Sequence, residues 1–253
     1  EVKFTRPGRS HGSSHSFSLV GSFYKANDPT GTLLAWRGWG FHDKQALLNE
    51  TVPFAYYPAI RNTNFLNGQK PWVDVFREID GRWGLYTGVH WDYKQKSKVR
   101  YYYYNNRADE NKVSRGGQYA WQTLFNSLSW QYRFDSQWRL IMHYMDGNTS
   151  MGINKVNVDF RAWNALISFK AGAHRFSARY DKFSTSDKDK YPQDQNDSNG
   201  FAFTTSWRYD WNKHIQTGLE YIFIDRFQAN RAQWYWDTDI TQHQLLGVAQ
   251  YRF

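Results

Sequence analysis

The sequence predicts an all-β chain folded as an antiparallel transmembrane β-barrel, and three observations carry that prediction. First, segments of about ten residues alternate polar and apolar with period two, the pattern of strands that are wet on one face and greasy on the other. Second, mean hydropathy is only −0.81 although aromatic residues make up 19% of the 253 positions, with 13 Trp, 18 Tyr and 18 Phe. Alternation halves the apparent hydrophobicity of a lipid-facing strand, and Trp and Tyr gather where an apolar surface meets water. Third, short and long connections alternate: 135–137, 171–173 and 211–213 are short, while 107–118, 147–154, 184–199 and 228–239 are long. Such asymmetry is expected when every second connection faces the same side of a membrane.

Taken in order, the elements follow from the same patterning. Residues 1–15 are rich in Ser and His and read as a lead-in, and 16–253 as the barrel. Nothing near Glu1 has a basic residue followed by an apolar core, so a secretion signal is expected to be removed or to lie outside these residues. Strands are expected at 16–25, 33–41, 72–79, 83–93 and 99–106 in the first half. Counted back from the C-terminus, 42–71 falls on the side of the short connections, as a long connection or a partial plug.

In the second half Leu124, Leu128, Trp130, Tyr132 and Phe134 oppose Thr123, Ser127, Ser129, Gln131 and Arg133. Leu140, Met142 and Tyr144 oppose Arg139 and His143; Val156, Val158, Phe160 and Ala162 oppose Asp159 and Arg161, with a slip of phase at Trp163 read as a bulge. Three further segments follow. Phe176, Ala178 and Tyr180 oppose Arg175 and Arg179; Phe203, Trp207 and Tyr209 oppose Arg208; and Leu219, Tyr221 and Phe223 oppose Gln216 and Glu220. The last strand sets Leu245, Tyr251 and Phe253 against Gln244, Gln250 and Arg252. The total is about twelve strands, an even number as single-chain barrels have.

The composition narrows the function. No run of some eighteen apolar residues exists, which excludes a membrane-spanning helix. There is no cysteine, so disulfides and thiolate metal sites are absent. The formal charge is +9, but Lys and Arg are scattered singly along strands, which points to a basic lumen or to anionic lipid head groups, not to nucleic acid.

Arg100, Arg133, Arg139, Arg161, Arg175, Arg179 and Arg208 all fall on expected lumen faces, where permanently charged, fork-shaped guanidinium groups attract carboxylates, phosphates and sulfates. The structural alternative is a lumen plugged by salt bridges to Asp92, Asp159, Asp181 and Glu220, but arginines outnumber acids there. Tyr86, Tyr102, Tyr104 and Trp163 could stack on sugar rings; interior packing is the blander reading. Trp130, Tyr132, Phe134, Trp207, Tyr209, Tyr221, Tyr251 and Phe253 are assigned to the aromatic girdles. His143 and the Ser/His-rich start match no catalytic spacing, and the aspartates of 184–199 lack the order of a calcium loop. No enzymatic role, cofactor or metal is expected.

The terminal Tyr251-Arg252-Phe253, the alternating strands and the connection asymmetry resemble the Gram-negative outer-membrane porin superfamily over most of the chain. The segment from Asn27-Asp28-Pro29-Thr30-Gly31 to Trp36-Arg37-Gly38-Trp39, the turn Asn105-Asn106-Arg107 and Tyr180-Asp181-Lys182-Phe183 resemble porin-like proteins in which such segments lie in the C-terminal part of a longer chain. The resemblance implies passive passage of small hydrophilic solutes and opens the expectation of further strands before Glu1; outer-membrane lipid and LPS, and through the arginines and aromatic residues anionic or sugar solutes, are the expected partners. It leaves a homotrimer, a barrel sheathing a partner protein in an outer-membrane complex, and a lipid-modifying enzyme as alternatives.

Overall fold

A computed structural model of the chain describes residues 1–26, 29–39, 47, 50–61, 66, 69–152, 155–189 and 191–252. In chain order it contains β1 (Val2–Arg6), β2 (His15–Tyr24), helix α1 (Thr30–Arg37), β3 (Thr51–Pro53), the short helix α2 (Pro58–Arg61) and β4 (Trp72–Asp74). A run of hairpins follows: β5 (Gly84–Tyr93), β6 (Ser97–Asn105), β7 (Gln122–Arg133), β8 (Trp138–Met151), β9 (Val156–Ala171), β10 (His174–Asp187), β11 (Ser198–Asp210), β12 (Ile215–Gln228) and β13 (Asp239–Tyr251). Eleven strands form one sheet in the order β1-β2-β5-β6-β7-β8-β9-β10-β11-β12-β13, while β3 and β4 pair with each other. No helix among the described residues is long and apolar enough to cross a membrane.

Register identifies the outer face. Phe4, Leu19, Val89, Tyr101, Leu128, Tyr144 and Trp163 are directly paired in succession across β1, β2, β5, β6, β7, β8 and β9. All seven are exposed. Trp138, Phe169, Phe176, Trp207 and Leu219 continue such a row across β8 to β12, also by direct pairing. Apolar surface this extensive is stable only against lipid or another apolar surface.

Four features of the first half differ from expectation. The lead-in 1–15 contains β1, which pairs with β2 through Thr5 and Ser18, their hydroxyls 3.0 Å apart. The expected strand 33–41 is instead α1: Pro29 precedes it, Leu33, Leu34 and Ala35 are good helix formers, and Gly38 ends it at φ 63, its N–H bonded to the carbonyls of Leu33 and Leu34. Residues 40 and 41 lie outside the described residues. Of the expected strand 72–79, Trp72–Asp74 is extended and pairs with β3, away from the main sheet. Removing both strands moves 42–71 to the opposite side, because the whole connection 25–83 joins β2 to β5 at the end shared by 106–121, 152–155, 188–197 and 229–238.

The described residues of that connection fold back to fill the mouth. Trp36 of α1 stacks on Phe54 at 5.1 Å and meets Trp121 edge-on at 5.4 Å. Around them close Tyr57, Ile60, Leu66, Met151, Val156 and Val158, all buried. A Cβ on Gly31 would come within 2.3 Å of Thr149 Oγ1 and 2.6 Å of Trp121, so glycine alone lets α1 lie this close to the wall. Trp39 stacks on Phe183 of β10, and the Arg226 guanidinium of β12 binds the Trp39 carbonyl.

This dry mouth explains two further departures. In place of the expected long connection 147–154, β8 runs on to Met151 and β9 begins at Val156, presenting Met151, Val156 and Val158 to the mouth core. Val156, Val158 and Phe160 therefore face inward, no slip occurs at Trp163, and Arg161 and Trp163 stand on the outer face.

Candidate lumen site

Cross-strand pairing on the inner face gathers basic side chains near the end of the short connections. Arg133 of β7 lies directly opposite Arg139 of β8, Lys170 of β9 opposite Arg175 of β10, and Arg175 opposite Arg208 of β11. Ser168, opposite Arg139, accepts a hydrogen bond from Arg175 Nη1 at 3.0 Å and links the two halves of the band. None of the five has an ion pair among the described residues. Like charges placed directly opposite one another destabilise a sheet. A band assembled for stability would alternate sign.

The remaining lumen arginines are held differently. Arg100 Nη2 binds Asp92 Oδ1 at 2.6 Å while its Nη1 donates to the carbonyls of Val99 and Trp91, so its charge is neutralised and its position fixed. Arg179 pairs with Asp181 two residues along β10, with an Nε donor at 2.9 Å. Arg161 sits on the outer face between Asp146 and Ser184, in a polar cleft with Asn126, Asn148, Asp159 and Lys188 above the apolar rows.

The aromatic candidates separate as well. Tyr86, Tyr102 and Tyr104 face inward, Tyr86 with its hydroxyl on the Glu1 carboxylate and Tyr102 with its hydroxyl 2.6 Å from His90 Nε2. Tyr104 is stacked between Tyr24 at 5.5 Å and Phe125 at 4.6 Å, and Phe125 approaches Phe160 at 6.4 Å. This ladder crosses the inner wall beneath the mouth core. Trp163 contacts Tyr180 on the outer face and has no part in it. Sequence reasoning missed Tyr24, Phe125 and Lys170 and set Phe160 on the lipid face; alternation from Ser127 places Phe125 inward, whereas Lys170 and Phe160 are placed by register with the neighbouring strands.

The girdle candidates lie on the outer face, most toward the short-connection end: Tyr132 in contact with both Trp130 and Phe134, Trp207 with its indole N–H on His174 Nδ1 at 3.1 Å, then Tyr209 and Tyr251. Tyr221 shares a hydrogen bond of 2.7 Å with His243. Phe253 lies outside the described residues.

His143 Nε2 is 2.8 Å from Ser127 Oγ on the inner face. In 184–199, Asp187, Asp189 and Asp197 accept backbone N–H groups and shape the turn. Asp194 differs from them. It is buried and accepts the Trp36 indole N–H at 3.2 Å, and burial pushes its carboxyl up to about 7. No group of three or more metal-type side chains is present among the described residues.

An antiparallel sheet with an apolar exterior, a polar interior and a mouth filled by its own connection is the fold of outer-membrane β-barrel proteins. Among solved structures the chain is similar to the loop L8 deletion mutant of OmpT, an outer membrane protein of Vibrio cholerae, over 94% of this chain and 75% of that one, at 11% identity and a TM-score of 0.50. A CymD monoaromatic hydrocarbon channel matches 94% of this chain and 66% of its own at 9% identity, with a TM-score of 0.39 too low to speak for a shared fold. No family model and no curated protein matches the chain.

Proposed function

We propose that this chain builds the wall of a passive outer-membrane channel that favours small anionic solutes, acidic sugars among them. The observation that carries the reading is the band Arg133, Arg139, Lys170, Arg175 and Arg208, five cations without an ion pair among the described residues, held side by side across β7 to β11 at a cost in sheet stability. In a wet pore such a band concentrates anions and repels cations. Arg100 and Arg179, already neutralised by Asp92 and Asp181, contribute shape more than charge. Arg161 faces away from the solute path and suits the phosphate-bearing head groups around the barrel. The reading includes no catalytic step: the Ser127–His143 contact faces the lumen, whereas hydrolysis of a lipid needs its nucleophile at the lipid rim. The test is the zero-current potential of the purified protein in a planar bilayer across a KCl gradient. Anion preference is expected, and cation preference overturns the reading.

A further inference from the structure

We infer that, among the anions the basic band admits, the lumen binds organic monocarboxylates with a hydrocarbon body, the carboxylate on Arg139 and Arg175 and the body on an inward apolar step formed by Ile141 and Leu166. The inference rests on the anion reading above and names the solute class. Ile141 lies between Arg139 and His143 on the inner face of β8, and register sets it directly opposite Leu166 of β9, whose partner on β10 is the inward Arg179. Both side chains are half-buried, and neither belongs to or packs against the two buried hydrophobic clusters of the described residues. The interior of a water-filled barrel is polar, and an apolar pair left wet there adds nothing to the stability of the wall.

The neighbours of the pair supply the remaining chemistry. One inner step toward the short connections, Arg139 lies opposite Ser168, and Arg175 donates from Nη1 to Ser168 Oγ at 3.0 Å, so both guanidinium groups, without an ion pair among the described residues, flank one serine. Fork-shaped cations so placed grip a carboxylate. One inner step toward the mouth the wall is polar again, with His143 opposite Asn164. Arg179, beside Leu166, is engaged with Asp181 and does not compete for the anion. At about 3.3 Å per residue the Arg139 row and the His143 row stand roughly 13 Å apart along the strands, with Ile141 and Leu166 between them. Chloride or sulfate uses only the cations, and a polyhydroxylated acid sets its hydroxyls against side chains that offer them no partner. A carboxylate with an unbroken hydrocarbon chain or ring uses both.

The test is block of the chloride current of the purified protein in a planar bilayer at neutral pH by acetate, butanoate, hexanoate and gluconate, with the zero-current potential in KCl alone recorded first. A methylene fully removed from water is worth about fourfold in affinity, and one resting on a single apolar wall about half that free energy. The half-blocking concentration is therefore expected to fall roughly twofold per methylene, on the order of tenfold from acetate to hexanoate. Gluconate, with as many carbons as hexanoate, is expected to block no better than acetate. In Ile141→Thr/Leu166→Thr, where threonine keeps the preference for strand, the hexanoate-to-acetate ratio is expected to collapse toward one. If that variant forms no channel, the series and the gluconate comparison in the unaltered protein decide. A flat series in the unaltered protein, gluconate matching hexanoate, or a series preserved in the double variant overturns the inference and leaves anion preference standing. Cation preference in KCl alone overturns the anion reading and the inference with it.

Discussion

Reversing two charges in the middle of the basic band gives the sharpest test of the channel reading. An ion passing about 8 Å from a guanidinium in water interacts with it by roughly 0.5 kcal/mol, and at 0.1 M salt a Debye length of about 10 Å roughly halves that. Five such groups favour an anion by about 1.2 kcal/mol and disfavour a cation equally, a gap of a little over 2 kcal/mol, on the order of fiftyfold in local concentration. The double variant Arg139→Glu/Arg175→Glu leaves three cations facing two anions, and the same arithmetic lowers the ratio to about twofold. The assay is the zero-current potential across a tenfold KCl gradient, repeated near 1 M salt, where a Debye length of about 3 Å should erase most of the preference even in the unaltered protein. An unchanged potential in the double variant would refute the placement of the band along the ion path.

Three other outcomes follow from the geometry. Arg161→Glu should leave ion preference within experimental error, because the side chain stands on the lipid side of β9; a shift as large as that of Arg175→Glu would return it to the lumen. Gly31→Ala should raise single-channel conductance by displacing α1 from Thr149 and Trp121, while unfolding of the barrel by heat in detergent changes little; an unchanged conductance would mean that α1 does not narrow the path. Asp194 titrates from about 7 in the folded chain against an ordinary 3.8, so the folded state holds a proton that the unfolded state has lost between those values. Stability of the mouth should therefore fall as pH rises from about 4 to about 7 and then level off, by a few kcal/mol at most, and Asp194→Asn should reduce that dependence in limited proteolysis of the mouth, leaving the part owed to Asp187, whose carboxyl burial raises to about 6.

The hairpins β5 to β13 were legible because each strand has lipid on one face, and lipid enforces strict alternation. Where another solvent replaces lipid or water, the same rule misleads. Val156, Val158 and Phe160 form an apolar row that resembles a lipid face, yet they point inward because Trp36, Phe54 and Leu66 make the mouth dry. Arg161 and Trp163 were misplaced for that reason alone. The run Leu33-Leu34-Ala35-Trp36 fits either period, and the tie was broken by Pro29 and Gly38, helix punctuation that was present in the sequence. Of the lumen band, the arginines followed from alternation. What no single strand could reveal was register, which sets Arg133 beside Arg139 and Arg175 beside Lys170 and Arg208 while leaving Arg100 and Arg179 with carboxylates.

The bonds that seat α1 come from far along the chain: Asp194 grips Trp36 across 158 residues, and Asn230 reaches Ala35 across 195. The stopper therefore cannot set until the late hairpins have arrived, however early its own residues emerge from the ribosome. A wall lacking the hairpins β10 to β12 would leave α1 unseated, so their arrival and the filling of the mouth become a single event.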